Sequence, residues 1–147
     1  MSNIDKIHET GENIFHATLF MHNKLVNFHT ISKNCEVPQS HMRVLFMLKK
    51  YKEKTMSDMA SEMEISRPNL TPIIDRLITE GYAERKEGQK DRRKLLISLT
   101  EKGCGYLGEL EDKVKEQTRH KLESLTEEDL DILNEASTKI LEILKKL

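Results

Sequence analysis

Two short stretches of this 147-residue chain carry side chains suited to gripping a polyanion and to reading the edges of planar heterocycles. The first is Ser66-Arg67-Pro68-Asn69, followed by Thr71 and Arg76. Guanidinium and carboxamide groups each offer paired hydrogen-bonding atoms, the geometry that recognises guanine and adenine in a major groove. The second is Lys90-Asp91-Arg92-Arg93-Lys94. It lies in a segment, 85–94, with six basic residues against two acidic ones, a local charge of +4 in a chain of formal net charge −1. Positive charge concentrated on one short segment suits a phosphate backbone, or an arginine inserted into a minor groove.

These residues act together only if the surrounding chain folds in a particular order. Met59, Ala60 and Met63 share one face of a helix predicted over 57–63, and Ile65 anchors the turn that follows. Ser66 caps the next helix, and Pro68 falls in its first turn, where a missing N–H costs nothing. Leu70, Ile73, Ile74, Leu77 and Ile78 form the buried stripe of that helix, which turns Arg67, Asn69, Thr71, Asp75 and Arg76 outward. Pro72 lies inside the helix and removes one of its hydrogen bonds. Glu80-Gly81 ends it, glycine tolerating the left-handed cap. Segments 82–86 and 95–100 then read as two strands joined by the polar tip 87–94. Helix, turn, helix and basic hairpin in that order make a helix-turn-helix with a wing, a device for reading duplex DNA. Arg67 and Asn69 at the helix N-terminus are also placed to meet phosphate.

The two ends of the chain carry apolar seams. Ile4, Ile7, Gly11, Ile14, Thr18, Met21, Leu25 and Phe28 recur at intervals of three and four, which predicts a seam on one long N-terminal helix, weakened at Gly11 and Thr18. After the wing, Leu107, Leu110, Val114, Thr118, Leu122 and Leu125 repeat the pattern. Thr126-Glu127-Glu128-Asp129 then opens a last helix with the stripe Leu130, Leu133, Ile140, Leu144 and Leu147. Three such helices exceed what a small winged domain needs to cover its own core, so they are expected to pair with a second subunit. Segment 107–147 holds eleven acids and seven bases, a charge of −4, so this end should face away from DNA.

The run SRPNLTPIIDRLITEGYAERKEGQKDRRKLLISLTEKG resembles the DNA-binding region of the MarR family of bacterial transcriptional regulators. Asp91-Arg92-Arg93 followed by Leu-Ile-Ser-Leu-Thr is similar to that family's wing signature, which implies that Asp91 orients the basic loop and that Arg93 reaches DNA. The resemblance implies a mainly α fold: a winged helix-turn-helix with a two-stranded β-hairpin wing and N- and C-terminal dimerisation helices. The expected organisation is a dimerisation helix in 1–34, the winged domain in 35–103, and dimerisation helices in 104–147. It further implies a homodimer on a palindromic double-stranded operator, acting as a repressor and released by a small aromatic effector. Phe15, His16, Leu19 and Phe20, with Met42, Leu45, Phe46 and Met47, would line the effector cleft. Leu70-Thr71-Pro72 resembles the family's organic-hydroperoxide-sensing branch, although 13–17, where that branch carries its reactive cysteine, has none.

Other classes fit less of the chain. It shows no nucleophile elbow, phosphate-binding glycine loop or metalloprotease His-Glu pair, so no enzyme, no cofactor and no metal site are expected. No signal peptide or membrane-length apolar run is evident, and Cys35 and Cys104 lack disulfide or zinc-type spacing, which fits a cytoplasmic protein. The alternatives are a redox- or metal-responsive regulator of the same fold, and a helical interaction module that binds no DNA. The module would explain the seams but not the wing.

Overall fold

The computed structural model describes residues 2–26 and 35–147. Phe28 and the rest of 27–34, part of the expected N-terminal dimerisation segment, lie outside the described residues. The elements run α1 (Asn3–Phe20), a π-helical turn (Met21–Leu25), α2 (Gln39–Tyr51), β1 (Glu53–Thr55), α3 (Met56–Glu62), α4 (Arg67–Thr79), β2 (Ala83–Glu87), β3 (Leu95–Leu99), α5 (Glu101–Leu122) and α6 (Glu127–Leu144). They fall into two compact units, one from the described parts of Met1–Asn27 and Val114–Leu147, the other from those of Phe28–Lys113.

In the second unit the helices cover a small antiparallel sheet of order β1-β3-β2. The hairpin expected from the sequence is β2 and β3, in register from Ala83↔Leu99 to Glu87↔Leu95. A third strand, β1, adds to the other edge of β3 through Lys54↔Ile97. Three residues are too few for an alternation to show in the sequence. Ile97, at the centre of the sheet, is fully buried, as are Leu45 and Leu48 of α2, Met59 of α3, and Leu70, Ile74 and Leu77 of α4. Burial of side chains this size contributes about 1.5–3 kcal/mol each, which seats α4 firmly on the core. Ile73 and Ile78 flank that stripe half-buried. Met42 and Leu45 belong to the same core.

Local signals set the boundaries. Thr55 caps α3, its hydroxyl accepting from Asp58 N at 3.1 Å, and Ser66 caps α4, accepting from Asn69 N at 3.4 Å. Between them Glu64 takes a positive φ of 55°, and Ile65 N donates to the Ala60 carbonyl at 3.1 Å. A side chain there costs roughly 1–2 kcal/mol where a glycine would not. Gly81, at φ 80°, closes α4, and Tyr82 N reaches back to the Leu77 carbonyl at 2.8 Å. Pro72 is absorbed without ending the helix, which continues to Thr79.

In the first unit a capping box starts α1: Asp5 N donates to Ser2 Oγ at 3.1 Å and Ser2 N to Asp5 Oδ2 at 2.8 Å. The Ser2 backbone N–H, and then the Ser2 hydroxyl, hold the Asp5 carboxyl below its usual range. The long helix predicted here continues to Leu25 among the described residues but changes pitch: α1 passes at Phe20 into a π turn. The Thr18 hydroxyl bonds back to the Ile14 carbonyl at 2.8 Å, a bond that bends helices, and the i→i+5 bond from Val26 N to the Met21 carbonyl then takes up an extra residue. The Leu25 carbonyl receives Lys121 Nζ at 3.2 Å and Thr118 Oγ1 at 3.5 Å. Thr126 caps α6, accepting from Asp129 N at 3.2 Å. Ile4, Ile7 and Ile14 of α1 and Leu130, Leu133, Ile140 and Leu144 of α6 are all exposed; Leu147, past the end of α6, is fully so.

Glycines at the start of α5 differ sharply in what surrounds them. A Cβ on Gly103 would lie 2.1 Å from the Tyr82 carbonyl oxygen, whereas one on Gly105 would meet nothing within 4 Å. Gly103→Ala should therefore lower the thermal midpoint clearly. Gly105→Ala should raise stability by about 0.5–1 kcal/mol through helix propensity. Equal effects in a thermal melt would contradict the close approach of α5 to Tyr82.

Candidate nucleic-acid interface

The sequence-selected residues come from α4 and from the wing tip, and the fold brings part of each set to one cleft. This cleft, about 600 Å³ in volume, is lined by Arg67 and Thr71 of α4, Asp58 of α3, and Arg85, Arg93 and Lys94 of the hairpin. Arg67, Arg93 and Lys94 against the single carboxylate Asp58 make the lining net positive, since Arg85 is paired with Asp75, and a positive concave surface favours anions.

On α4, the stripe Leu70, Ile74, Leu77 faces the core and leaves Arg67, Pro68, Asn69, Pro72, Asp75, Arg76 and Thr79 exposed. Several of these polar groups are already engaged within the chain. The Thr71 hydroxyl donates to the Arg67 carbonyl at 2.8 Å and that of Thr79 to the Asp75 carbonyl at 2.9 Å. Arg76 Nε donates to Glu80 Oε1 at 2.8 Å, so this arginine, expected to meet DNA, is drawn toward the C-terminal end of its helix. Asp75 accepts from Arg85 of β2 at 2.5 Å. Arg67 and Asn69 have no side-chain partner among the described residues. Ser66 is spent on the cap.

The wing divides similarly. Lys86 pairs with Glu84 at 2.6 Å and Arg85 with Asp75, so two of the six basic residues are neutralised along the strand. Lys90, Arg92, Arg93 and Lys94 are exposed and make no ion pair among the described residues. Asp91 does not hold a cation. Its Oδ1 accepts from Arg93 N at 3.0 Å, and its carbonyl accepts from Lys94 N at 3.1 Å, so it folds the tip and leaves the basic side chains outside. Gly88 N closes the loop on the Lys94 carbonyl at 2.8 Å. A Cβ at Gly88 would come within 2.7 Å of the Asp91 carbonyl oxygen, so the tip needs glycine there.

The Asp75–Arg85 brace is the contact that inspection of the sequence misses. Its partners are ten residues apart across a helix end and a strand start, and no local pattern announces such a pair. β1 was equally silent, although Thr55-Met56-Ser57-Asp58 carries a readable cap signal.

His41 of α2 lies near the far end of α4. Burial and the neighbouring Arg76 guanidinium hold its imidazole below the usual histidine range, against a smaller upward pull from Glu80. Cys35 borders a separate cavity of about 150 Å³ with Glu36, Tyr106 and Lys113. There burial, and then the adjacent Cys35 thiol, push the Tyr106 hydroxyl up to about 12. Cys104 is exposed on α5. Among the described residues no cluster of three His, Cys, Asp or Glu side chains is placed to hold a metal, and no helix is long and apolar enough to cross a membrane.

Capped helix, tight turn, second helix and three-stranded sheet with a basic hairpin define a winged helix-turn-helix protein. Residues 37–95 match the model of the MarR family. An uncharacterised HTH-type transcriptional regulator, YfiV of Bacillus subtilis, is 30% identical over 94 residues, 64% of this chain and 59% of that protein. The match thus spans less than two thirds of that relative's length. The regulator Tm0710 of Thermotoga maritima superimposes with a TM-score of 0.79 at 15% identity, covering 94% of this chain and 96% of the other. A mutant MarR from Escherichia coli, solved in complex with operator DNA, gives a TM-score of 0.55 at 19% identity over 96% and 99% of the two chains. Residues 37–95 thus resemble the MarR family, and the chain shares the fold of the solved MarR of Escherichia coli.

The Asp75–Arg85 pair is half-exposed on both sides. A double-mutant cycle with Asp75→Ala and Arg85→Ala should therefore give a coupling of only about 0.2–1 kcal/mol in chemical denaturation. A coupling near 3 kcal/mol would mean that the pair is far less solvated than the geometry indicates.

Proposed function

We propose that this protein is a sequence-specific DNA-binding transcriptional regulator that binds a palindromic operator as a homodimer, represses by occupying it, and is released by a small aromatic effector. The observation that carries this reading is the shared cleft. Arg67 and Thr71 at the start of α4 and Arg93 and Lys94 of the wing line one concave surface, with the unpaired Lys90 and Arg92 at the wing tip beside it. In this assignment Arg67 and Asn69 read base edges while Lys90, Arg92, Arg93 and Lys94 grip phosphate or enter the minor groove. Ser66, Pro68 and Asp91 shape the contacting backbone. Thr71 and Arg76 contribute through the groups left free by their internal hydrogen bonds.

The winged domain is assigned to 35–103, with dimerisation segments at 1–34 and 104–147. Support for the dimer comes from α1 and α6, whose apolar residues Ile4, Ile7, Ile14, Leu130, Leu133, Ile140, Leu144 and Leu147 are left uncovered in the single chain. Exposed stripes on this scale are characteristic of interaction surfaces. A dimer sets two α4 helices about 34–36 Å apart, one turn of duplex, and doubles a readout worth roughly 1–3 kcal/mol per base pair. An effector releases DNA only by favouring a spacing of the two helices that fits the operator poorly.

Selection of bound duplexes from a random pool should enrich an inverted repeat. Against it, Arg67→Ala and Asn69→Ala should relax preference at particular positions, whereas Arg92→Ala and Arg93→Ala should weaken binding to all duplexes alike. Uniform loss from all four would mean that the base-reading and phosphate roles are misassigned. Truncation before Asp129 should abolish the dimer in sedimentation; a stable dimer without α6 would contradict the interface.

A further inference from the structure

The outward face of α4 has an apolar centre. Pro68 and Pro72 are both exposed and stand one helical turn apart. At 100° per residue they project on the side opposite the buried Leu70, Ile74 and Leu77, between Arg67 on one flank and Asn69 on the other. Their polar neighbours offer this centre little competition: Asp75 is held by Arg85, Arg76 by Glu80, and the Thr79 hydroxyl by the Asp75 carbonyl. The part of the helix that protrudes furthest from the core thus presents two pyrrolidine rings, which carry no polar side-chain atom and no N–H.

Resting on the DNA-binding reading above, we infer that Pro68 and Pro72 form a ridge that reads the C5-methyl groups of thymine in the major groove. Thymine is the base that offers an apolar group there, and apolar side chains recognise it by contact. Four residues of helix advance about 6 Å, which matches methyls one or two base steps apart at about 3.4 Å per step. The ridge also accounts for a proline inside a reading helix, where it removes a hydrogen bond. Arg67 and Asn69 would then read purine edges on either side of a thymine-containing centre.

The duplex enriched from a random pool is remade with deoxyuridine in place of each thymidine in turn, which deletes one methyl and leaves the base pair intact. For the wild-type protein, uracil at one or two positions in each half-site should weaken binding about fourfold per methyl, the value of one buried carbon, and elsewhere should have no effect. Pro68→Ser and Pro72→Ser should bind the thymine and uracil duplexes equally at those positions. If these variants fold poorly, the wild-type uracil pattern remains the deciding readout. An enriched duplex that tolerates uracil at every position, or serine variants that keep the wild-type sensitivity, would overturn the ridge while leaving DNA binding standing. Recovery of no enriched duplex would overturn the DNA-binding reading and the ridge with it.

Discussion

The rotation of α4 about its own axis governs everything proposed for this protein, and three buried side chains set it. Leu70, Ile74 and Leu77 are fully inaccessible, packed in the same core as α2, α3 and the central strand residue Ile97. Turning the helix by even one residue would expose about 1.5–3 kcal/mol of burial at each position, far more than any surface ion pair could return. With that rotation fixed, Arg67, Asn69 and the two prolines have no choice but to face outward. The Asp75–Arg85 contact then ties the same helix to β2, the strand that leads into the wing.

Charge is sorted by pairing as much as by sequence. The wing segment is +4, yet its strand portion is quiet because Arg85 and Lys86 already have carboxylates. The unpaired cations are gathered at the tip by a turn in which Asp91 spends its side chain on a backbone N–H. Phosphate binding depends on cations that need not first break an internal contact, and this arrangement supplies four of them. Glu80 has the opposite effect, drawing Arg76 back along its own helix.

Much of this was legible in the sequence because it rests on local rules. Ser66 as a cap, Gly81 as a left-handed stop, the buried stripe of α4 and the hairpin follow from spacing and from residue type. What escaped notice is non-local. The strand β1 is too short to alternate, and Asp75 meets Arg85 only after the chain has turned a corner. The N-terminal seam, weakened at Gly11 and Thr18, gives no sign of the change of pitch: the Thr18 hydroxyl bonds to the Ile14 carbonyl and a π turn follows at Met21. Pro72 lies within the recognition helix, which continues past it to Thr79.

The central claim is that α4 and the wing tip bind duplex DNA through unpaired cations, and salt tests it most directly. Affinity for the selected duplex, measured from about 50 to 200 mM salt, should fall with a log–log slope near −0.9 per phosphate neutralised. Arg93→Ala should make that slope shallower by about one such increment for each half-site. Binding that is insensitive to salt, or a slope unchanged by Arg93→Ala, would contradict the account.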